Sequence, residues 1–167
     1  MSVCVVVGFC GAGKSTLMMD LQRQGIFTEI IHDYYAKTLK QNGYRTVPES
    51  SYFFNTLKEC LENDEDIAVA DPLFVIESEM NKFIDFVKSL RPGIEVNIIA
   101  FTNEPEAAKQ NIRDRSDRNN FSEASVQKFC DFIDQNAEQY IPEKLDALIA
   151  PTYGGILYND LVTKSLK

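Results

Sequence analysis

Apolar residues along this chain follow two rhythms. Short runs such as Val3-Cys4-Val5-Val6-Val7 and Ile67-Ala68-Val69-Ala70 have no polar alternation. Runs of this kind predict strands buried on both faces. Ile94 to Phe101 and Ala147-Leu148-Ile149-Ala150 predict two more strands, and Phe27-Thr28-Glu29-Ile30-Ile31 predicts another. Between these runs the apolar positions fall three and four residues apart. That spacing predicts a helix near 14–24 ending at Gly25, a C-cap glycine. It predicts a second helix capped by Ser50 or Ser51, with Phe53, Phe54, Leu57, Cys60 and Leu61 on one face. Ile76, Met80, Phe83, Ile84, Val87 and Leu90 mark a third, stopped by Pro92-Gly93. Glu104-Pro105-Glu106 opens a fourth, with acids where the helix dipole favours them. Ser122 caps a fifth, presenting Val126, Phe129, Cys130, Ile133 and Ala137. Five strands separated by helices predict an α/β protein: a three-layer sandwich with a five-stranded parallel sheet between helices. With 167 residues and no repeat or linker, one domain spanning 1–167 is expected.

The first strand and the first helix are joined by Gly8-Phe9-Cys10-Gly11-Ala12-Gly13-Lys14-Ser15, which satisfies the pattern Gly-x-x-x-x-Gly-Lys-Ser/Thr. A strand, a glycine-rich turn and a helix N-terminus set successive backbone N–H groups around a phosphate. Gly8, Cys10, Gly11, Ala12, Gly13, Lys14, Ser15 and Thr16 are the expected cradle. Lys14 is expected at the β- and γ-phosphates, and the Ser15 hydroxyl on Mg²⁺. The ligand predicted is a nucleoside triphosphate. The dinucleotide pattern Gly-x-Gly-x-x-Gly fails, because Lys14, Ser15 and Thr16 follow Gly11-Ala12-Gly13. A GTPase would carry Asp-x-x-Gly and Asn-Lys-x-Asp after its third and fourth strands, where this chain has Asp71-Pro72-Leu73-Phe74 and Thr102-Asn103-Glu104-Pro105. ATP is therefore preferred over GTP.

Ligands of open parallel sheets bind beyond the carboxyl ends of the strands. His32-Asp33, Asp71, Thr102-Asn103 and Pro151-Thr152-Tyr153-Gly154-Gly155 all fall there. Asp33 is a candidate general base for an acceptor hydroxyl, the alternative being a turn or capping aspartate. Asp71 is a candidate ligand to a Mg²⁺-bound water, or else the opener of an Asp-Pro turn. Arg113, Arg115 and Arg118 cluster at a helix end before Asn119 and Asn120. Permanently charged guanidinium forks there suit a lid, about 113–121, that steadies a phosphoryl group in transit. The alternative is neutralisation of a helix C-terminus. Tyr34, Tyr35, Tyr44 and Arg45, within an acceptor segment of about 34–49, either grip an acceptor or cover the sheet edge. His32, beside Asp33, either helps to position the substrate or, as a lone histidine usually is, is packed or solvated.

Composition narrows the partners. The net charge is −8 at pH 7, with no long basic run, so extended non-specific nucleic-acid binding is not expected. A nucleic-acid end gripped locally stays open. Cys4, Cys10, Cys60 and Cys130 are scattered and His32 is the single histidine, which speaks for free thiols and against zinc. The opening apolar run stops at Gly8, so no membrane span is expected and the cytoplasm is the expected compartment.

Taken together, Gly8–Ser15, Asp33, Asp71 and Arg113–Arg118 resemble the small P-loop kinases of the nucleotide-kinase type. The kinase domain of bacteriophage polynucleotide kinase and the zeta-toxin-like and gluconate-kinase-like enzymes are the relatives implied. In that resemblance Asp33 matches the catalytic aspartate, Asp71 the aspartate ending strand 3, and Arg113–Arg118 the lid. Tyr34 and Tyr35 stand where the family carries an arginine. The activity implied is ATP- and Mg²⁺-dependent phosphoryl transfer, and the aromatic faces of Tyr34 and Tyr35 turn the expected acceptor toward a nucleoside, a nucleotide or a nucleic-acid hydroxyl end. The alternatives are a non-nucleotide metabolite as acceptor, or a nucleotide-binding switch without one.

Overall fold

A computed structural model of the chain describes residues 2–32, 52–119 and 122–152, with backbone alone for 52–54 and 116–119. Along the described chain the elements are β1 (Ser2–Val7), α1 (Lys14–Arg23), β2 (Glu29–Ile31), α2 (Tyr52–Glu62) and β3 (Ile67–Ala70). They continue with α3 (Glu77–Leu90), β4 (Glu95–Phe101), α4 (Pro105–Asn119), α5 (Glu123–Asn136) and β5 (Leu148–Ala150). The five strands form one sheet in the order β2-β3-β1-β4-β5, and every pairing is parallel. β1 lies at its centre, so its β-branched run is covered on all sides.

Alternate residues of β1 face opposite layers, as the two-residue period of a strand requires. Val3, Val5 and Val7 join a cluster with Leu57 of α2, Phe83 of α3, Ile112 of α4 and Ile133 of α5. Cys4 and Val6 face the other way, onto Leu17, Met18 and Leu21 of α1. Helices on both faces make the three-layer sandwich that the sequence predicts.

Three strands start later than expected: β4 begins at Glu95 rather than Ile94, opposite Ser2 at the start of β1. β2 begins at Glu29 rather than Phe27, because its partner β3 begins at Ile67, which pairs with Glu29. The N–H groups of Thr28 and Glu29 turn instead to the Asp66 carbonyl, at 2.8 and 3.4 Å. β5 spans only the three residues that pair with Ile99–Phe101, although β4 itself runs back to Glu95. At the end of α1 the N–H of Gly25 bonds Gln22 and that of Ile26 bonds Leu21, both at 3.0 Å. Gly25, at φ +76°, closes this helix in the left-handed conformation expected of a Schellman cap. The Ser50/Ser51 cap lies outside the described residues.

Candidate nucleotide site

The Gly8–Ser15 loop leaves the central strand and turns directly into α1. Two of its glycines hold backbone that other residues avoid: Gly11 has φ +87° and Gly13 φ +105°. Gly13 occupies the N-cap position of α1, so the loop delivers the helix N-terminus, with its partial positive charge, to the sheet rim. A turn inside the loop is closed by the Ala12 N–H on the Phe9 carbonyl at 2.9 Å. The Lys14 ammonium bonds the carbonyls of Gly8 and Phe9 at 2.9 and 2.8 Å and is buried. Its charge is therefore already inside the loop. Ser15 and Thr16, on the first turn of α1, are exposed.

Two supports hold this loop from outside. Phe9 packs edge-on against Tyr140, with ring centroids 5.2 Å apart, and the Tyr140 hydroxyl donates to the Phe101 carbonyl. Burial raises the Tyr140 pKa, which keeps that hydroxyl a donor. The second support is α4. A Cβ on Gly11 would overlap the Ala108 carbonyl oxygen and stand 3.0 Å from Ile112, so the loop rests on the helix backbone. Asn111 adds a bond from its Nδ2 to the Gly11 carbonyl at 2.9 Å. The same helix carries the arginines on its last turns. At 100° per residue Arg115 falls on the face of Ala108 and Asn111, whereas Arg113 is turned ~140° from Ala108. Both are exposed.

Around the rim the strand ends serve different tasks. Asp71, only 1 % exposed, accepts the Leu73 N–H through Oδ1 at 2.8 Å and opens a 3₁₀ turn, Pro72–Val75. Asn103 donates to the carbonyls of Ala137 and Tyr140 at 2.7 and 2.9 Å, which closes the end of α5. Thr102 and Thr152 tie the ends of β4 and β5 together: the Thr152 N–H reaches Thr102 Oγ1 at 2.9 Å. His32, half-buried just past β2, places Nδ1 3.0 Å from Ser15 Oγ. Cys10 is half-buried in the loop itself.

A family model described as AAA domain matches residues 3–136. The chain belongs to that family. No curated protein matches. Among solved structures, a gluconokinase from Sinorhizobium meliloti 1021 superposes with a TM-score of 0.58 at 13 % identity, over 99 % of this chain and 89 % of that one. A shikimate kinase from Bacteroides thetaiotaomicron gives 0.52 at 17 % identity, covering 99 % and 95 %. A shikimate kinase from Acinetobacter baumannii in complex with shikimate gives 0.50 at 18 % identity, covering 99 % and 91 %. The fold is thus one that kinases of small molecules use. Gluconokinase, one of the relatives implied by sequence, has it.

In this AAA-domain chain the fold brings together the eight predicted cradle residues, from Gly8 to Thr16, at the N-terminus of α1. Arg113 and Arg115 sit on the helix that buttresses the cradle. The side chain of Arg118 and the residues Asp33, Tyr34, Tyr35, Tyr44, Arg45 and Tyr153 lie outside the described residues. So do Asn120, Gly154 and Gly155. The structure adds one side chain that sequence reasoning passed over, Asn111, and gives His32 a partner, Ser15, that the sequence did not show. Asn111 has no local pattern to mark it, being a polar residue one turn beyond buried Ala108. His32 had a signal in its place at the rim. Among the described residues no helix is long and apolar enough to cross a membrane.

Proposed function

We propose that this protein is an ATP-dependent phosphotransferase. The observation that carries the reading is the loop around Lys14: two left-handed glycines, a buried ammonium and a helix N-terminus meet at the rim of a parallel sheet. ATP rather than GTP follows from the missing guanine motifs. Ser15 and Asp71 offer hard oxygen donors, which suit Mg²⁺. Ser15 would hold the ion directly, and Asp71, with Oδ1 committed to Leu73, through a water. The ion would supply positive charge that offsets that of the phosphates.

In this scheme the cradle and Lys14 hold the β- and γ-phosphates. Asp33 takes the proton of the acceptor hydroxyl as its oxygen bonds to the γ-phosphorus. The bond to the β,γ-bridging oxygen breaks, and ADP leaves. An arginine of α4 neutralises the charge on the transferred group, a contribution of about 10³-fold or more in rate. Arg115 is the first choice on helical register, and Arg118, seven residues past Asn111, repeats that register.

The acceptor favoured is a nucleoside, a nucleotide or a nucleic-acid hydroxyl end held by Tyr34 and Tyr35, since base stacking contributes about 1–3 kcal/mol per base. A second reading, a non-nucleotide metabolite, is supported by the gluconokinase and shikimate kinase folds. A transfer screen with γ-labelled ATP over nucleosides, nucleoside monophosphates, 5′-hydroxyl oligonucleotides, polyols and sugar acids separates them. Label confined to a polyol or sugar acid selects the metabolite reading. Label released only as free phosphate makes the protein a bare NTPase. Lys14→Ala should abolish ATP binding or turnover, and Asp33→Asn should bind ATP without transferring phosphate.

A further inference from the structure

We infer that His32 is a positioning residue for the cation of the nucleotide site, acting through the Ser15 hydroxyl. The inference rests on the nucleotide-binding reading above and adds a residue to it. Ser15 is the first-turn hydroxyl behind Lys14, and His32 Nδ1 stands 3.0 Å from its Oγ. These two side chains come from different elements, α1 and the residue past β2, and they meet at the rim where strand ends converge. A serine hydroxyl has one proton to give and two lone pairs. Left to rotate, it has no reason to turn its oxygen toward a cation.

A neutral imidazole with its proton on Nε2 has an acceptor at Nδ1. That acceptor takes the Ser15 proton, fixes the rotor, and leaves the oxygen lone pairs for the metal. It also draws electron density onto the oxygen, which strengthens it as a donor. Partners of this kind orient metal ligands throughout metalloproteins, and their loss costs about 10–100-fold in metal affinity. The opposite polarity, with Nδ1–H donating to Ser15, would occupy one lone pair and weaken the site. The exposed position of Ser15 leaves the hydroxyl open to a metal-nucleotide complex arriving from solvent. The bulk of the imidazole has no share in the proposed role; the acceptor atom has. The substitution His32→Asn would place an amide oxygen within similar reach, whereas His32→Ala would place no acceptor there.

The test is ATP binding to the full chain, measured by calorimetry with Mg²⁺ and again with EDTA. For His32→Ala, the Mg²⁺ concentration that half-saturates the metal-dependent gain in affinity should rise about 10-fold or more. Binding of metal-free ATP should stay as in the parent. For His32→Asn the Mg²⁺ requirement should return close to the parent's. Equal weakening with and without Mg²⁺ would overturn the inference, because His32 would then shape the loop rather than serve the cation. So would an unchanged Mg²⁺ requirement in His32→Ala, or a failure of Asn to rescue. A second readout uses the fact that the chain has one histidine. With Mn²⁺·ATP and ¹⁵N-labelled histidine, pulsed electron paramagnetic resonance should show no directly bonded nitrogen. A directly bonded nitrogen would overturn the positioning role by making His32 a ligand. A parent protein that ignores ATP in both buffers would instead sink the nucleotide reading itself, and this inference with it.

Discussion

The two halves of α4 differ in almost every respect except their shared axis. From Pro105 to Ile112 the helix is a wall. Ala108 and Ile112 are buried, and Gly11 lies against the helix backbone. Lys109 bonds Glu106 and Asp134 at 2.7 and 2.8 Å, which pins α4 to α5. From Arg113 onward the described side chains, Arg113, Asp114 and Arg115, are exposed. One half shapes the phosphate loop by contact. The other presents the exposed charges of Arg113, Asp114 and Arg115. A single helix can therefore be buried against the loop at one end and open to solvent at the other.

Changes along this axis should separate the two roles, and they rank by their effect on folding. Gly11→Ala should have the largest. Forcing Cβ into the left-handed region costs about 1–2 kcal/mol, and crowding against Ala108 adds about 1–3 kcal/mol. Urea denaturation should show the sum, with ATP binding lost. Gly25→Ala is the control, because that position has the same hand, φ +76°, but nothing within 4 Å of an added Cβ. It should lose only about 1–2 kcal/mol and keep ATP binding. If the two variants behave alike, α4 is not a wall.

Asn111→Ala comes next. It removes the bond to the Gly11 carbonyl, a loss of about 0.5–1.5 kcal/mol. ATP affinity should fall together with stability, and equilibrium unfolding beside a binding titration would show it. A change in one without the other would divorce the loop from its buttress.

Lys109 gives a smaller effect with a pH signature. Its bond to Asp134, and then that to Glu106, raise its pKa above the ordinary 10.5. A raised pKa means that the pair's contribution is complete below pH 10.5 and fades as pH rises past it. Lys109→Met should lower the melting temperature at neutral pH. It should also flatten the decline above pH 10.5 relative to the parent.

Arg115→Ala should change stability least, within about 0.5 kcal/mol, as exposed substitutions usually do. Phosphoryl transfer should nevertheless fall about 10³-fold, with ATP affinity nearly unchanged. Arg113→Ala, on the other side of the helix, should fall far less. Equal losses for the two would remove helical register as the guide to the working arginine.

The legible parts of this molecule are those written in neighbouring residues. β1 and β3 are plain because a strand buried on both faces needs an unbroken apolar run. The phosphate loop is plain because its spacing is fixed by one turn and one helix start. The start of β2 is not, since it falls opposite the start of its partner β3, which lies elsewhere in the chain. The meeting of Asn111 with Gly11 is equally hidden. Neither residue type announces a contact across so long a separation. His32 shows a milder case: its place at the rim is visible, but its nearness to Ser15 depends on how β2 lies beside α1. Asp71 shows that one residue can satisfy the humbler of two readings, the capped turn, and still offer its carboxylate at the strand end.

The centre of the sheet has a consequence for assembly. Val3 of β1 pairs with Ile67 on one side and Val96 on the other, so β1 precedes both its partners in the chain. During synthesis this apolar strand emerges before both and waits for two segments made later, the kind of non-local pairing that slows folding. The glycine loop waits longer still, because its buttress, Ala108 to Ile112, follows β4. A nascent chain that has reached α3 holds every residue of the loop motif, yet the surface that gives the loop its shape has not been made. The surface that gives the loop its shape is therefore always made after the loop itself.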